Sequence, residues 1–243
     1  MSQQGELSWG IGRRHQRRAV ADRPRNLADI YSTSEWGFTK SISGGPIWQP
    51  PAIDVKRGRI YVGTGNNYTV PREIEDCESK NLQNHNPAAC TPPNDHIDSV
   101  MALDLKSGVI KWSQKLLAYD VWNIDCFEPV AGGMPCPSPA GPDFDFSGSG
   151  PNLLDNVVGF GQKSGVYWAL NSDDGRILWH TQVGPGGVGG GIEWGTASDG
   201  KNIYVPIANT EHRPYKLMPK MSRQSIGDHG QSLTHRQAKF FGK

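Results

Sequence analysis

The sequence predicts an all-β fold built from repeated four-stranded antiparallel units. Two observations carry that prediction. First, the run Ala102-Leu103-Asp104-Leu105-Lys106-Ser107-Gly108-Val109-Ile110-Lys111-Trp112 recurs as Ala169-Leu170-Asn171-Ser172-Asp173-Asp174-Gly175-Arg176-Ile177-Leu178-Trp179, with Ala, Leu, Gly and Trp in the same slots. Each copy reads as strand, turn, strand, the Gly supplying the positive φ that closes a tight hairpin. Second, 30 Gly and 18 Pro in 243 residues favour many turns over long helices. A hairpin cannot bury its apolar face alone, so a repeated one implies stacked copies sharing a core.

Along the chain, residues 1–40 stand apart. Arg13, Arg14, Arg17, Arg18, Arg23 and Arg25 cluster there without apolar periodicity, the composition of a solvated, disordered tail. From about Gly44 the chain alternates. Residues 52–55 and 59–64, joined across Lys56-Arg57-Gly58, form two strands. A polar, Pro- and Asn-rich insertion over 67–97 follows, and the first hairpin copy completes the unit. A second insertion, 118–151, is rich in Pro, Gly and Asp. A strand over 156–162 and the second hairpin copy come next. A third unit then begins at Trp194, where Trp194, Ala197, Tyr204 and Asn209 answer Trp48, Ala52, Tyr61 and Asn66. Residues 211–243 are polar and basic and read as a second disordered tail. The domain plan is therefore a tail over 1–40, repeats over 44–210 (units 46–117, 152–183 and a half unit 193–210), and a tail over 211–243.

Composition excludes several functions. A net charge of +1 gives no electrostatic ground for nucleic acid, and no apolar run reaches the length of a membrane span. No apolar stretch of a signal peptide stands at the N-terminus. Gly184-Pro185-Gly186-Gly187-Val188-Gly189 satisfies Gly-x-Gly-x-x-Gly, but a dinucleotide site needs a helix to follow, and a strand is expected instead. Asn67-Tyr68-Thr69 is a glycosylation sequon, relevant only to a secreted protein. Zinc-type His/Cys spacings and a Gly-x-Ser-x-Gly elbow are absent. The four Cys flank two loops, Cys77 with Cys90 and Cys126 with Cys136. Two local disulfides, which need an oxidising compartment, or four free thiols are the readings open.

An Ala-Leu-Asp…Gly…Trp hairpin following Tyr61-Val62-Gly63-Thr64-Gly65 resembles the repeats of pyrroloquinoline quinone (PQQ)-dependent alcohol dehydrogenases, which are eight-bladed β-propellers. Ile47-Trp48, Gly63-Thr64-Gly65-Asn66, Tyr119-Asp120-Val121-Trp122, Gln162-Lys163-Ser164-Gly165, Gly184-Pro185-Gly186-Gly187 and the Cys positions resemble most the polyvinyl-alcohol-dehydrogenase-like members. The resemblance implies a partial propeller of about two and a half blades. It also implies PQQ and Ca²⁺ as cofactors, a small or polymeric alcohol as substrate, and secretion. By this resemblance Trp48 is the floor under the quinone, Asn66 a Ca²⁺ ligand, Lys163 the cation at the quinone oxygens, and Glu193 with Trp194 a cofactor contact. Beside these stand plainer readings: Trp48 as a blade-packing residue, Asn66 as a turn Asn, Lys163 as an exposed turn Lys. At the family's catalytic Asp the chain has Asn123, whose amide cannot take a proton; Asp125 and Asp120 lie nearby. The expectation is a quinoprotein alcohol dehydrogenase-like fragment, weak or inactive alone. The alternative is a non-catalytic propeller module for binding or scaffolding.

Overall fold

The computed structural model describes residues 42–83, 90–129, 131–146, 148–216, 224–225 and 229–234. The basic segment 1–40 lies outside them. Two four-stranded antiparallel meanders form the frame. The first joins β2 (Ala52–Asp54), β3 (Arg59–Gly63), β5 (Ser99–Asp104) and β6 (Ile110–Lys115) in that order. The second joins β7 (Asn152–Leu154), β8 (Val157–Gly161), β9 (Val166–Asn171) and β10 (Ile177–Gln182). A third sheet holds β11 (Ala197–Ser198), β12 (Asn202–Ile207) and β15 (His229–Thr234). The matched residues of the sequence take matched places: Ala52 pairs with Tyr61 and Ala197 with Tyr204. Two short pairs complete the list, β1 (Ser43–Gly44) with β4 (Asn67–Thr69), and β13 (Tyr215–Lys216) with β14 (Gln224–Ser225). β13, β14 and β15 fall within 211–243, read from sequence as a disordered tail; the backbone of β15 pairs with β12 from Asn202 opposite Thr234 to Ile207 opposite His229.

The duplicated hairpins are built alike. Gly108 and Gly175 take φ of +70° and +73°, and their N–H groups donate to the carbonyls of Asp104 and Asn171 at 2.8 and 2.9 Å. In both turns the first side chain caps the loop: Asp104 Oδ1 accepts from the N–H of Lys106 and Ser107, and Asn171 Oδ1 from those of Asp173 and Asp174. Each copy carries an irregularity in register just before its Trp.

The hairpin is also the lock between sheets. Tyr61, Val100, Ala102, Phe146, Val158, Phe160 and Leu170 form a buried cluster between the first two, with Trp112 against it. Trp112 lies over Gly175, where an added Cβ would fall 2.5 Å from its ring. Three donors of the first sheet converge on one main-chain oxygen, the Ser172 carbonyl: Tyr61 Oη at 3.0 Å, Trp112 Nε1 at 3.2 Å and an Arg59 guanidinium nitrogen at 2.6 Å. A second cluster, Tyr167, Val183, Ile192, Ile203, Val205 and Ile207, joins the second and third sheets, with Trp179 beside it.

The first insertion departs from the expected loop. Arg72–Gln83 forms helix α1. Pro71 precedes it, its carbonyl accepting from Ile74 and Glu75; Glu73 and Glu75 stand in its first turn and Lys80 in its last, matching the helix dipole. Both disulfides are present, Cys77–Cys90 and Cys126–Cys136. The first ties α1 to the segment that returns to β5; the second closes the loop containing a short 3-10 turn, Ile124–Cys126. No helix among the described residues is long and apolar enough to cross a membrane.

Candidate functional site

The site forms where the chain leaves β8. Gln162-Lys163-Ser164-Gly165 makes a turn, with Gly165 at φ +81°, and directs Lys163 inward: it is 6 % exposed, not the solvated turn residue of the plainer reading. Its backbone is fixed on two sides, N–H to the Asp145 carbonyl (3.2 Å) and C=O from the Gly187 N–H (3.2 Å). Gly191 packs on that same carbonyl so closely, at φ +71°, that a side chain has no room.

The Lys163 ammonium lies 5.4 Å from the centroid of the Trp48 ring. Asp143 Oδ2 is 2.9 Å from Nζ, Glu193 Oε1 3.7 Å and Asp145 Oδ2 3.9 Å. Burial pulls the lysine pKa down, but the carboxylates of Asp145, Asp143 and Glu193 outweigh it and hold the group charged. Burial in turn raises Asp143 and Glu193, with Lys163 opposing. Trp48 is 42 % exposed and meets Trp194 edge-to-face at 5.8 Å. Trp194 is 70 % exposed and sits at φ +60°, a conformation unfavourable for a bulky side chain. Gly148 fills the gap between Glu193 and Trp48: a Cβ there would stand 3.2 Å from Glu193 Cγ and 3.7 Å from the indole.

Three acids of this region, Asp98, Asp143 and Asp145, belong to no motif of the sequence, and a fourth, Asp120, stands there only as a neighbour of Asn123. Asp143 and Asp145 alternate with Phe144 and Phe146 in the second insertion, a period-two signal hidden in a stretch that reads as loop. Asp120, buried, accepts the N–H of Asp143 (3.0 Å) and of Phe144 (2.7 Å) on its two oxygens; desolvation still raises it to about 7. Asp98 is wholly buried at φ +43°, and neither carboxyl oxygen has a hydrogen-bond partner. Burial, then the fields of Asp120, Asp145 and Asp143, push it well above the usual carboxylate range.

The remaining candidates have hydrogen-bond or packing partners of their own. Asn123 is buried and caps the 3-10 turn: Oδ1 accepts from the Asp125 N–H (3.1 Å), and Nδ2 donates to the carbonyls of Tyr68 and Pro135 (3.2 Å each). Asp125 faces Gly133 inside the disulfide loop, where a Cβ would fall 2.5 Å from Oδ1. Asn66 is buried, its Nδ2 donating to the carbonyls of Asn67 (2.8 Å) and Trp122 (2.7 Å). Among the described residues no group of three or more His, Cys, Asp or Glu is arranged to hold a metal. Asn67 of the sequon is 1 % exposed and donates to Asp95 (2.9 Å), which closes it to glycosylation in the folded chain. The glycine run after Val183 leads to no helix over 190–210.

Two curated proteins share this sequence pattern. Polyvinylalcohol dehydrogenases of Sphingopyxis sp. (strain 113P3) and of a Pseudomonas species are each 35 % identical over 173 residues, which is 69 % of this chain. The chain belongs to the PQQ-dependent alcohol dehydrogenase-like family of β-propellers. It spans 23 % of the length of those relatives. Among solved structures, a quinohemoprotein alcohol dehydrogenase from Comamonas testosteroni aligns with 68 % of this chain and 26 % of its own (16 % identity, TM-score 0.43). A europium-containing methanol dehydrogenase aligns with 67 % and 25 % (19 % identity, TM-score 0.36). No protein-family model matches the chain.

Proposed function

We propose that this chain carries one wall of a quinone site in an alcohol dehydrogenase, binding PQQ on Trp48 and Lys163 but turning over little or no alcohol by itself. One observation carries the reading: a buried, charged lysine stands over the face of a tryptophan that is itself partly open. The residues fit a flat, anionic, tricyclic ligand. Trp48 offers an aromatic platform, Lys163 a fixed cation for oxygens that gain negative charge, and Glu193 a polar edge. A bound quinone would accept the hydride of an alcohol. The chain's own task is then to orient the ligand and to take the hydroxyl proton. Asn123 cannot take it, being neutral and committed through three hydrogen bonds. The carboxylates beside Lys163, Asp143 and Glu193, are the acceptors at hand. The relatives' name makes the hydroxyl-bearing carbons of a polymer the substrate class to try first. The two disulfides suit a secreted protein.

Titration with PQQ tests the proposal. Trp48 fluorescence falls on binding, and Trp48→Ala or Lys163→Met removes the change. Reduction of an acceptor dye with PQQ, Ca²⁺ and alcohol stays at the PQQ-free background. No quenching in the wild-type chain would sink the quinone reading; turnover above background would overturn the inactivity. A second reading, a propeller module that binds without catalysis, is favoured by the amide at position 123 and by the carboxylates already covering Lys163. It gains ground if partners bind while PQQ does not.

A further inference from the structure

The position of Asp143 is set from behind. Its φ of +59° is one that ordinary residues adopt at a cost of about 1 kcal/mol or more, so the surrounding structure must hold it there. The holding group is Asp120, 0 % exposed, whose two oxygens each take one main-chain N–H, from Asp143 and from Phe144. Gly141 lies so close to Asp120 Oδ1 that only glycine fits. The Asp120 carbonyl also accepts the N–H of Asn67 (2.9 Å), anchoring the other end of this clamp to β4. Asp143 thereby becomes the carboxylate in hydrogen-bond contact with Lys163, at 2.9 Å, while Asp145 and Glu193 stand at 3.9 and 3.7 Å.

We infer that Asp120 is a positioning residue: through the main chain of Asp143 and Phe144 it fixes the Asp143 carboxylate on Lys163, and so sets where the ammonium stands over Trp48. Its meaning for quinone binding rests on the function proposed above; its geometry does not. An amide at 120 would offer one acceptor oxygen and turn an NH₂ toward the second N–H, releasing the loop without emptying the space.

The test is lysine acetylation of the full 243-residue chain by an N-hydroxysuccinimide ester, read residue by residue by mass spectrometry, with the half-exposed Lys111 as internal reference. Asp120→Asn and Asp143→Asn each raise the Lys163 rate about tenfold, the gain in free amine that one unit of lysine pKa brings, while Lys111 keeps its rate. Adding Asp120→Asn to Asp143→Asn brings no further increase, because both act on one contact. A wild-type rate at Lys163 in Asp120→Asn, or additive effects in the double variant, overturns the inference. Should Asp120→Asn not fold, hydrogen exchange decides. The Asp143 and Phe144 amides exchange slowly in both wild type and Asp143→Asn if Asp120 is the clamp, and fast exchange in wild type overturns it. A parallel PQQ titration keeps the two ideas apart, since absent quenching counts against the quinone reading alone.

Discussion

At the scale of single residues, the site shows which side chains a sequence can and cannot place. Lys163 was legible as a position because its turn motif is local. Its burial was not, because the carboxylates that keep it charged come from the second insertion and from the glycine-rich connection before the third sheet. Asp98, Asp120 and Asp143 interact only after three separate stretches have met, and no spacing announces that. Asn123 illustrates the opposite case. The family pattern points to an acid there, yet the amide's donors face two carbonyl oxygens. Restoring the acid by Asn123→Asp should therefore fail: a carboxylate would oppose those carbonyls in a buried place. The expected cost is about 2–4 kcal/mol, read as a lowered urea midpoint, with no gain in dye reduction. An unchanged midpoint would show that the amide's donors are not needed.

At the scale of elements, the hairpin was the most legible feature. Its capping Asp or Asn, its left-handed Gly and its Trp are all sequence-local, and each is found in the role the repeat suggests. Helix α1 was not legible. It is polar in composition, and terminal charges and the Cys77–Cys90 link support it. The hairpin's two duties, turn and lock, can be separated by mutation. Gly58, in the separate turn between β2 and β3, and Gly175 both have positive φ, but open space surrounds Gly58, while Trp112 covers Gly175. Gly58→Ala should cost about 1 kcal/mol and Gly175→Ala roughly 2–4 kcal/mol in chemical denaturation. Equal losses would mean that the Trp112 contact yields without cost. The Ser172 hydroxyl, by contrast, is buried with no hydrogen-bond partner. Ser172→Ala should leave the melting temperature unchanged or raise it, and a clear drop would reveal a bond from that hydroxyl.

At the scale of the whole molecule, buried acid shapes the response to pH. Asp120 has its pKa raised from 3.8 to about 7, and Asp98, Asp143 and Glu193 shift the same way. The folded chain thus binds these protons more tightly than the unfolded chain. The stability they confer is complete below the ordinary carboxylate range and is lost as pH climbs toward 7. Asp104 and Asp199, held low by hydrogen-bond donors, act only at more acid pH. Denaturation should therefore show a chain more stable at pH 5 than at pH 8 by on the order of 2–4 kcal/mol, with a shallower slope in Asp120→Asn. A flat profile would mean that these carboxyls are already solvated. The joint between the first two sheets has a different character. Its acceptor is a peptide oxygen, which a change of side chain at position 172 leaves in place, although the buried setting there admits only a small residue. The donors on the neighbouring unit, Tyr61, Arg59 and Trp112, and the glycine that Trp112 covers carry the information that inheritance must preserve. A duplicated unit would therefore bring its own socket with it, and a propeller of this kind can gain copies without inventing a new interface.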